Sequence, residues 1–286
     1  MRLTIIGSGA MGSQIAMVSA LSGHDVVLYD LDPDAPARAV TSLRHRLDRQ
    51  VDKGRRSRED VDAAFARLGV VSDLESAVAD ADLVIEAVVE RVSVKRDLFA
   101  RIGRVCPQHT VLASNSSSIV PSKLADASGR PDRFCNIHFF NPALVMKGVE
   151  VVRGQETSDA TMTTAVEYVE GLGKQPIVLE KEIFGFVANR VLNAVRDEAI
   201  SLHEGGYASV EAIDAACRTA LGYPMGPFEL MDLTGIDIGY HSKTERYAET
   251  GDPADRPSRS VTELVEAGHL GRKTGRGWYT YETAGD

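Results

Sequence analysis

The chain has 286 residues, 43% hydrophobic and 26% charged, and its 41 acids against 32 Lys and Arg leave a net charge of −9. That balance suits a soluble globular protein and excludes collagen-like, disordered and disulfide-scaffold classes. A whole-protein nucleic-acid binder would be basic, and no apolar run approaches the ~18 residues that a membrane span needs, so neither partner is expected.

Short β-branched runs alternate with helical patterns over the first two-thirds: Leu3–Ile6, Val26–Tyr29, Gly69–Ser72, Leu83–Val88, Val111–Ser114, Phe134–Phe140, Val149–Val152 and Pro176–Leu179. Such alternation predicts crossover units and a mostly parallel sheet, the α/β Rossmann-type class. The first run starts almost at residue 1, leaving no room for a leader, and the expectation is a cytoplasmic protein. From about residue 183 the pattern is helical, with Val187, Val191, Ala194, Val195, Ala199 and Leu202 at helical spacing. The expected domains are 1–182, a dinucleotide-binding sheet domain, and 183–286, an all-helical domain. Thr250–Ser260, rich in Asp, Pro, Arg and Ser, is the expected loose segment. Cys106, Cys135 and Cys217 fit neither a disulfide framework nor a metal-ligand spacing, and no metal is expected.

Gly7-Ser8-Gly9-Ala10-Met11-Gly12 follows the first strand and opens a helical pattern. Gly7 permits a tight turn, Gly9 lets a pyrophosphate approach the backbone, and Gly12 lets the helix pack close to the sheet. The helix N-terminus at Ala10 and Met11 then offers free N–H groups to phosphate. The second strand ends in Asp30, which can accept both ribose hydroxyls and would repel a 2′-phosphate; no Arg or Lys follows before Arg38. NAD is therefore expected over NADP, although the glycine turn alone would also suit FAD.

Ser117 follows one predicted strand, His138 ends another, and Glu150 lies twelve residues further on. Residues at strand C-termini line the ligand crevice of a doubly wound fold, so Ser117 and His138 could meet. A histidine beside a carboxylate gains a fixed tautomer and basicity. Taken singly, each has a plainer reading: a core histidine, a serine loop, a solvated acid.

Together these stretches resemble the 3-hydroxyacyl-CoA dehydrogenase family. The matching blocks are Gly7–Gly12, Glu86–Glu90, Ala113–Ser118, His138–Pro142, Met146–Glu150, Gly185–Arg190, Gly222–Leu230 and Gly271–Gly277, in family order. The resemblance implies an NAD-binding domain followed by a helical domain that forms a homodimer. It implies NAD-linked oxidation of an L-3-hydroxyacyl-CoA, with 3-hydroxybutyryl-CoA as a short-chain example. His138 would be the acid/base, Glu150 its partner, Ser117 a donor to the substrate oxygen and Asn189 a substrate-side residue from the helical domain, across a cleft between the two. Asp30, Glu90, Lys95, Ser117, Asn141 and Lys273 would lie along the NAD. The same chemistry on an acyl-carrier-bound or free hydroxy acid, and a non-catalytic NAD-binding protein, are the alternatives.

CoA is polyanionic while the chain is acidic, so local charge must bind it. Residues 44–58 hold seven Lys and Arg against Asp48 and Asp52. Arg46, Arg49 and Lys53 fall at helical spacing, and Lys53 matches a family CoA contact; a solvated basic face is the plainer reading. Three positions depart from the family pattern: Gln14 and Gly148 differ in size from the common residue, and Phe184 replaces a frequent Pro.

Overall fold

A computed structural model describes residues 1–281. It divides into two compact units, Met1–Val187 and the segment from Ala188 onward. All eight strands belong to the first. They are β1 (Arg2–Ile6), β2 (Asp25–Tyr29), β3 (Leu68–Val70), β4 (Leu83–Glu86), β5 (Val111–Ser114), β6 (Phe134–Phe139), β7 (Gly148–Arg153) and β8 (Gln175–Leu179). They form one sheet in the order β3-β2-β1-β4-β5-β6-β7-β8. Every neighbouring pair is parallel except β6–β7, which is antiparallel. The strand order reverses between β1 and β4, and there the sheet opens a crevice at its C-terminal edge.

The central strands explain their own sequence. Leu83, Val84 and Ile85 are completely buried because helices cover both faces of a parallel sheet. The strand ends at Glu86, short of the expected Val88, because the Glu86 carboxylate turns back to accept the Val88 N–H. Helix α1 (Ala10–Leu21) is buried from Gly12 to Ala20, as a helix apolar on all sides must be. In α2 (Ala35–Asp52), Leu43 and Leu47 recur at i, i+4 and turn one face into the core. The β5–β6 crossover uses 3₁₀ turns at Pro121–Lys123, Ala125–Ser128 and Pro131–Arg133 in place of a long helix.

The first unit runs five residues past the expected boundary at 182. Phe186 is fully buried against Val152 and Leu179, and the Val187 N–H is spent on Glu150. That anchors the end of the segment to the sheet. The second unit contains α7 (Ala188–Glu204), α8 (Val210–Thr219), α9 (Pro227–Thr234), α10 (Ile236–Thr250) and α11 (Arg259–Glu266). Its core gathers Ala199, Ile200, Ile213, Phe228, Met231 and Val261. Two buried aspartates brace it. Asp214 accepts the Phe228 and Glu229 N–H groups and the Tyr279 hydroxyl, and Asp232 accepts the Trp278 and Tyr279 N–H groups and the Tyr281 hydroxyl. The 250–260 segment, expected to be loose, is tied down. Asp255 accepts from Thr250 at 2.7 Å and from Arg246 at 3.0 Å, and Asp252 caps Ala254. Its polar residues satisfy one another, which composition alone does not show.

Candidate active site

His138 ends β6 and stands directly opposite Glu150 in the antiparallel β6–β7 register. Directly opposed side chains meet on one face of a sheet. The imidazole Nδ1 lies 2.7 Å from Glu150 Oε2, with Glu150 completely buried and His138 5% exposed. The other carboxylate oxygen, Oε1, accepts the Val187 N–H at 2.9 Å. A carboxylate can only accept, so the ring donates from Nδ1, and in the neutral imidazole the lone pair sits on Nε2. Phe140, 4.6 Å away edge-on, and Phe186, 5.6 Å away, wall the ring. Phe186 holds φ at +46°, in the left-handed region that a bulky residue rarely occupies. Strain of that kind is kept where surrounding packing fixes it.

The serine loop after β5 is fastened from below. Asn115 accepts the Phe139 N–H at 2.9 Å, which joins this loop to the residue after His138. Ser114 donates to Glu86 at 2.6 Å, Ser118 donates to Glu90 at 3.0 Å, and Ser116 also donates to Glu90. The hydroxyls at 114, 116 and 118 are thus committed inward. Ser117 is half-exposed and, among the described residues, has no side-chain hydrogen bond. The sheet therefore places Ser117 and His138 at the ends of adjacent strands. Asn141 follows three residues after His138, exposed, with a cis peptide to Pro142.

Sequence reasoning did not single out Glu86, which carries the interior of this edge. Its carboxylate takes Lys95 Nζ at 2.5 Å, the Val88 N–H at 2.7 Å and the Ser114 hydroxyl. Lys95, on α5 (Val92–Val105), is 1% exposed and also reaches Glu90 at 3.2 Å. Burial pushes the Glu90 carboxyl up, but the Lys95 ammonium and the Ser116 and Ser118 hydroxyls outweigh it and hold the group below its ordinary value. The available signal was an acid at the end of an otherwise apolar strand.

The β1–α1 turn fits a dinucleotide. Gly7 has φ +100°, and a methyl group on Gly12 would fall 1.8 Å from the Gly7 carbonyl oxygen. A methyl on Gly9 would meet nothing within 4 Å, so open space lies over the turn where a pyrophosphate would approach. Asp30 is fixed at the end of β2: Oδ2 accepts from the Ser8 N–H at 2.7 Å and the Ser8 hydroxyl at 2.8 Å. A cleft of about 500 Å³ adjoins it, lined by Ser8, Gly9, Asp30, Arg38, Ser42 and Arg46 among others. Arg38, in the cleft lining, is paired with Asp32 at 2.5 Å.

The expected CoA residues separate. Arg46 donates to Gln14 at 3.3 Å and lines the cleft. Arg49 and Lys53 are exposed, with Lys53 just past the end of α2. Arg44 and Arg58 are held by Asp62 and Asp48. Gln14, larger than the common family residue, thus joins α1 to α2. In the second unit, Asn189 lies in the first turn of α7, and Lys273 gives its ammonium to both Asp237 oxygens at 2.6 Å. Burial raises the thiol of Cys135 to about 12 and pushes the Cys106 thiol upward. Among the described residues no group of three His, Cys, Asp or Glu could hold a metal ion.

A parallel sheet with a glycine turn, an acid closing β2 and a histidine–carboxylate pair at the crevice edge defines an NAD-linked dehydrogenase of the Rossmann class. Residues 2–183 match the family described as 3-hydroxyacyl-CoA dehydrogenase, NAD binding domain, and residues 185–281 match its C-terminal domain. Hydroxyacyl-coenzyme A dehydrogenase, mitochondrial, from Rattus norvegicus is 40% identical over 98% of this chain and 91% of its own. A 3-hydroxybutyryl-CoA dehydrogenase from Bradyrhizobium diazoefficiens is 40% identical over 99% of this chain and 96% of its own. The crystal structure of (S)-3-hydroxybutyryl-CoA dehydrogenase from Ralstonia eutropha superposes with a TM-score of 0.91 at 38% identity, covering 99% of both chains. The chain belongs to the 3-hydroxyacyl-CoA dehydrogenase family, whose members are NAD-dependent oxidoreductases.

Proposed function

We propose that the protein catalyses the reversible oxidation of a short-chain L-3-hydroxyacyl-CoA, such as 3-hydroxybutyryl-CoA, to the 3-ketoacyl-CoA. The observation that carries this reading is the His138 Nδ1 to Glu150 contact of 2.7 Å, which leaves Nε2 as the basic atom. Its support is the pair of relatives named for this reaction. NAD, when bound, accepts the hydride from C3. His138 Nε2 takes the proton of the 3-hydroxyl as that hydride departs, and the carbonyl forms; in the reverse direction the imidazolium returns the proton. Glu150 holds the ring's orientation and stabilises the imidazolium as it forms. Ser117, with its hydroxyl uncommitted, donates to the substrate oxygen. Asn189 serves the substrate, and Asp30, Glu90, Lys95, Asn141 and Lys273 serve the dinucleotide, as the family resemblance implies. Arg46, Arg49 and Lys53 serve the CoA phosphates.

The exposed apolar residues Val191, Leu233 and Ile238 of the second unit support a homodimer formed there, a reading that sedimentation velocity tests. No helix among the described residues is long and apolar enough to cross a membrane. The deciding experiment follows NADH oxidation with acetoacetyl-CoA, acetoacetyl-pantetheine and free acetoacetate. Preference for the CoA thioester is the expected result. Equal or faster turnover of the free acid would move the substrate to a hydroxy acid, and no turnover of any would contradict an enzymatic role.

A further inference from the structure

The crevice edge carries a charged assembly that the acid–base pair does not use. Glu86, Lys95 and Glu90 are joined at 2.5 and 3.2 Å, and the first two are shut away from solvent. Glu90 has 40% of its side chain exposed and is the member that reaches the surface. With both acids ionised the group sums to −1. Among the described residues no cation besides Lys95 forms an ion pair with either acid. Arg96 is committed to Asp126 at 2.6 and 2.9 Å, and Arg91 makes no ion pair with either acid among the described residues.

A dinucleotide bound across the β1/β4 switch point, with its adenosine ribose at Asp30, extends its other half toward the ends of β4, β5 and β6. The two redox forms of NAD differ there by one unit of charge. The oxidised pyridinium carries +1 and the reduced ring none, while the rest of the molecule is the same. We infer that Glu86 is a positioning residue for redox selectivity: by neutralising the buried Lys95 it leaves Glu90 uncompensated, and the crevice favours oxidised over reduced cofactor. The inference rests on the NAD reading and on the direction in which the dinucleotide crosses the sheet. Glu86 acts through Lys95 and Glu90; Ser114 donates to Glu86, and Ser116 and Ser118 donate to Glu90. A unit charge in a partly solvated crevice is worth about a tenfold change in the affinity of a nearby cation.

The test measures Kd for NAD⁺ and NADH by calorimetry at pH 8.5, where an ordinary imidazole is neutral. Glu86→Gln should lower the ratio Kd(NADH)/Kd(NAD⁺) about tenfold from the unsubstituted protein, and Glu90→Gln should do the same from the accessible rim. The double variant Glu86→Gln/Lys95→Met returns the sum to −1 and should restore the ratio to within about threefold, although it removes the buried pair. Equal weakening of both redox forms in the single variants, or a double variant that keeps the shifted ratio, would overturn the inference in favour of a purely structural role. If Glu86→Gln does not fold, Glu90→Gln decides: an unchanged ratio there overturns the proposal. An unsubstituted protein that binds neither form would overturn the cofactor reading itself, and the inference with it.

Discussion

In the sheet unit, Glu150 is fully buried and gives one oxygen to the ring of His138; in the helical unit, Asp214 and Asp232 are buried as deeply but give theirs to backbone N–H groups and tyrosine hydroxyls. The burial is the same and the partners differ. Asp214 and Asp232 face donors that do not titrate near neutral pH, and desolvation together with Asp232 pushes the Tyr281 hydroxyl up to about 12. These acids are fully spent on holding α9 and the Trp278–Tyr281 segment. Glu150 faces a group with a second ring nitrogen that can take up and return a proton. A buried acid marks chemistry when its partner has a further atom to offer, and marks architecture when it does not.

Substitutions can break this contrast. His138→Ala removes the proposed proton acceptor and should lower kcat by about 10³–10⁴-fold, while the Kd for NAD changes less than about twofold. Stopped-flow turnover and calorimetry on the same samples check both, and surviving turnover would show that another group is the base. Glu150→Gln keeps the shape but removes the charge proposed to stabilise the imidazolium, and kcat should fall about 10²-fold with little loss of fold. Asp232→Ala should show the opposite pattern. Two N–H groups and a hydroxyl lose their acceptor in a buried setting, at a cost of about 2–4 kcal/mol. Its thermal transition should move down by several degrees while NAD affinity holds, and a matching loss of NAD affinity would remove the distinction between the two kinds of acid. Lys53→Glu should have the mildest effect, raising KM about three- to tenfold for acetoacetyl-CoA and less for the pantetheine thioester. Equal effects on both would place Lys53 outside the CoA site.

The sheet was legible because the strands are short, mostly apolar runs and the glycine turn follows the first of them without a gap. NAD rather than NADP was legible from Asp30, and the structure adds that the next arginine in sequence, Arg38, pairs with Asp32. The opposition of His138 and Glu150 was only half legible. Their spacing allowed a meeting, but the antiparallel turn that puts them face to face depends on the whole β6–β7 register. Three features were beyond a linear reading because their partners are distant in sequence. Glu86 meets Ser114 across 28 residues, Asp232 meets Tyr279 across 47, and Val187 meets Glu150 across 37. The last of these extends the first unit past residue 182. The 250–260 segment failed for the opposite reason: its partners are local, but composition records that residues are polar and not that they pair.

The most direct measurement of the central claim is the protonation pattern of the His138 ring. Nitrogen-15 NMR of the imidazole in its neutral form should report hydrogen on Nδ1 and a bare Nε2. The same spectrum of Glu150→Gln should lose that single-tautomer signature. A neutral ring that carries its proton on Nε2 in the unsubstituted protein would mean that the base faces the wrong way, and the account of proton transfer would be contradicted.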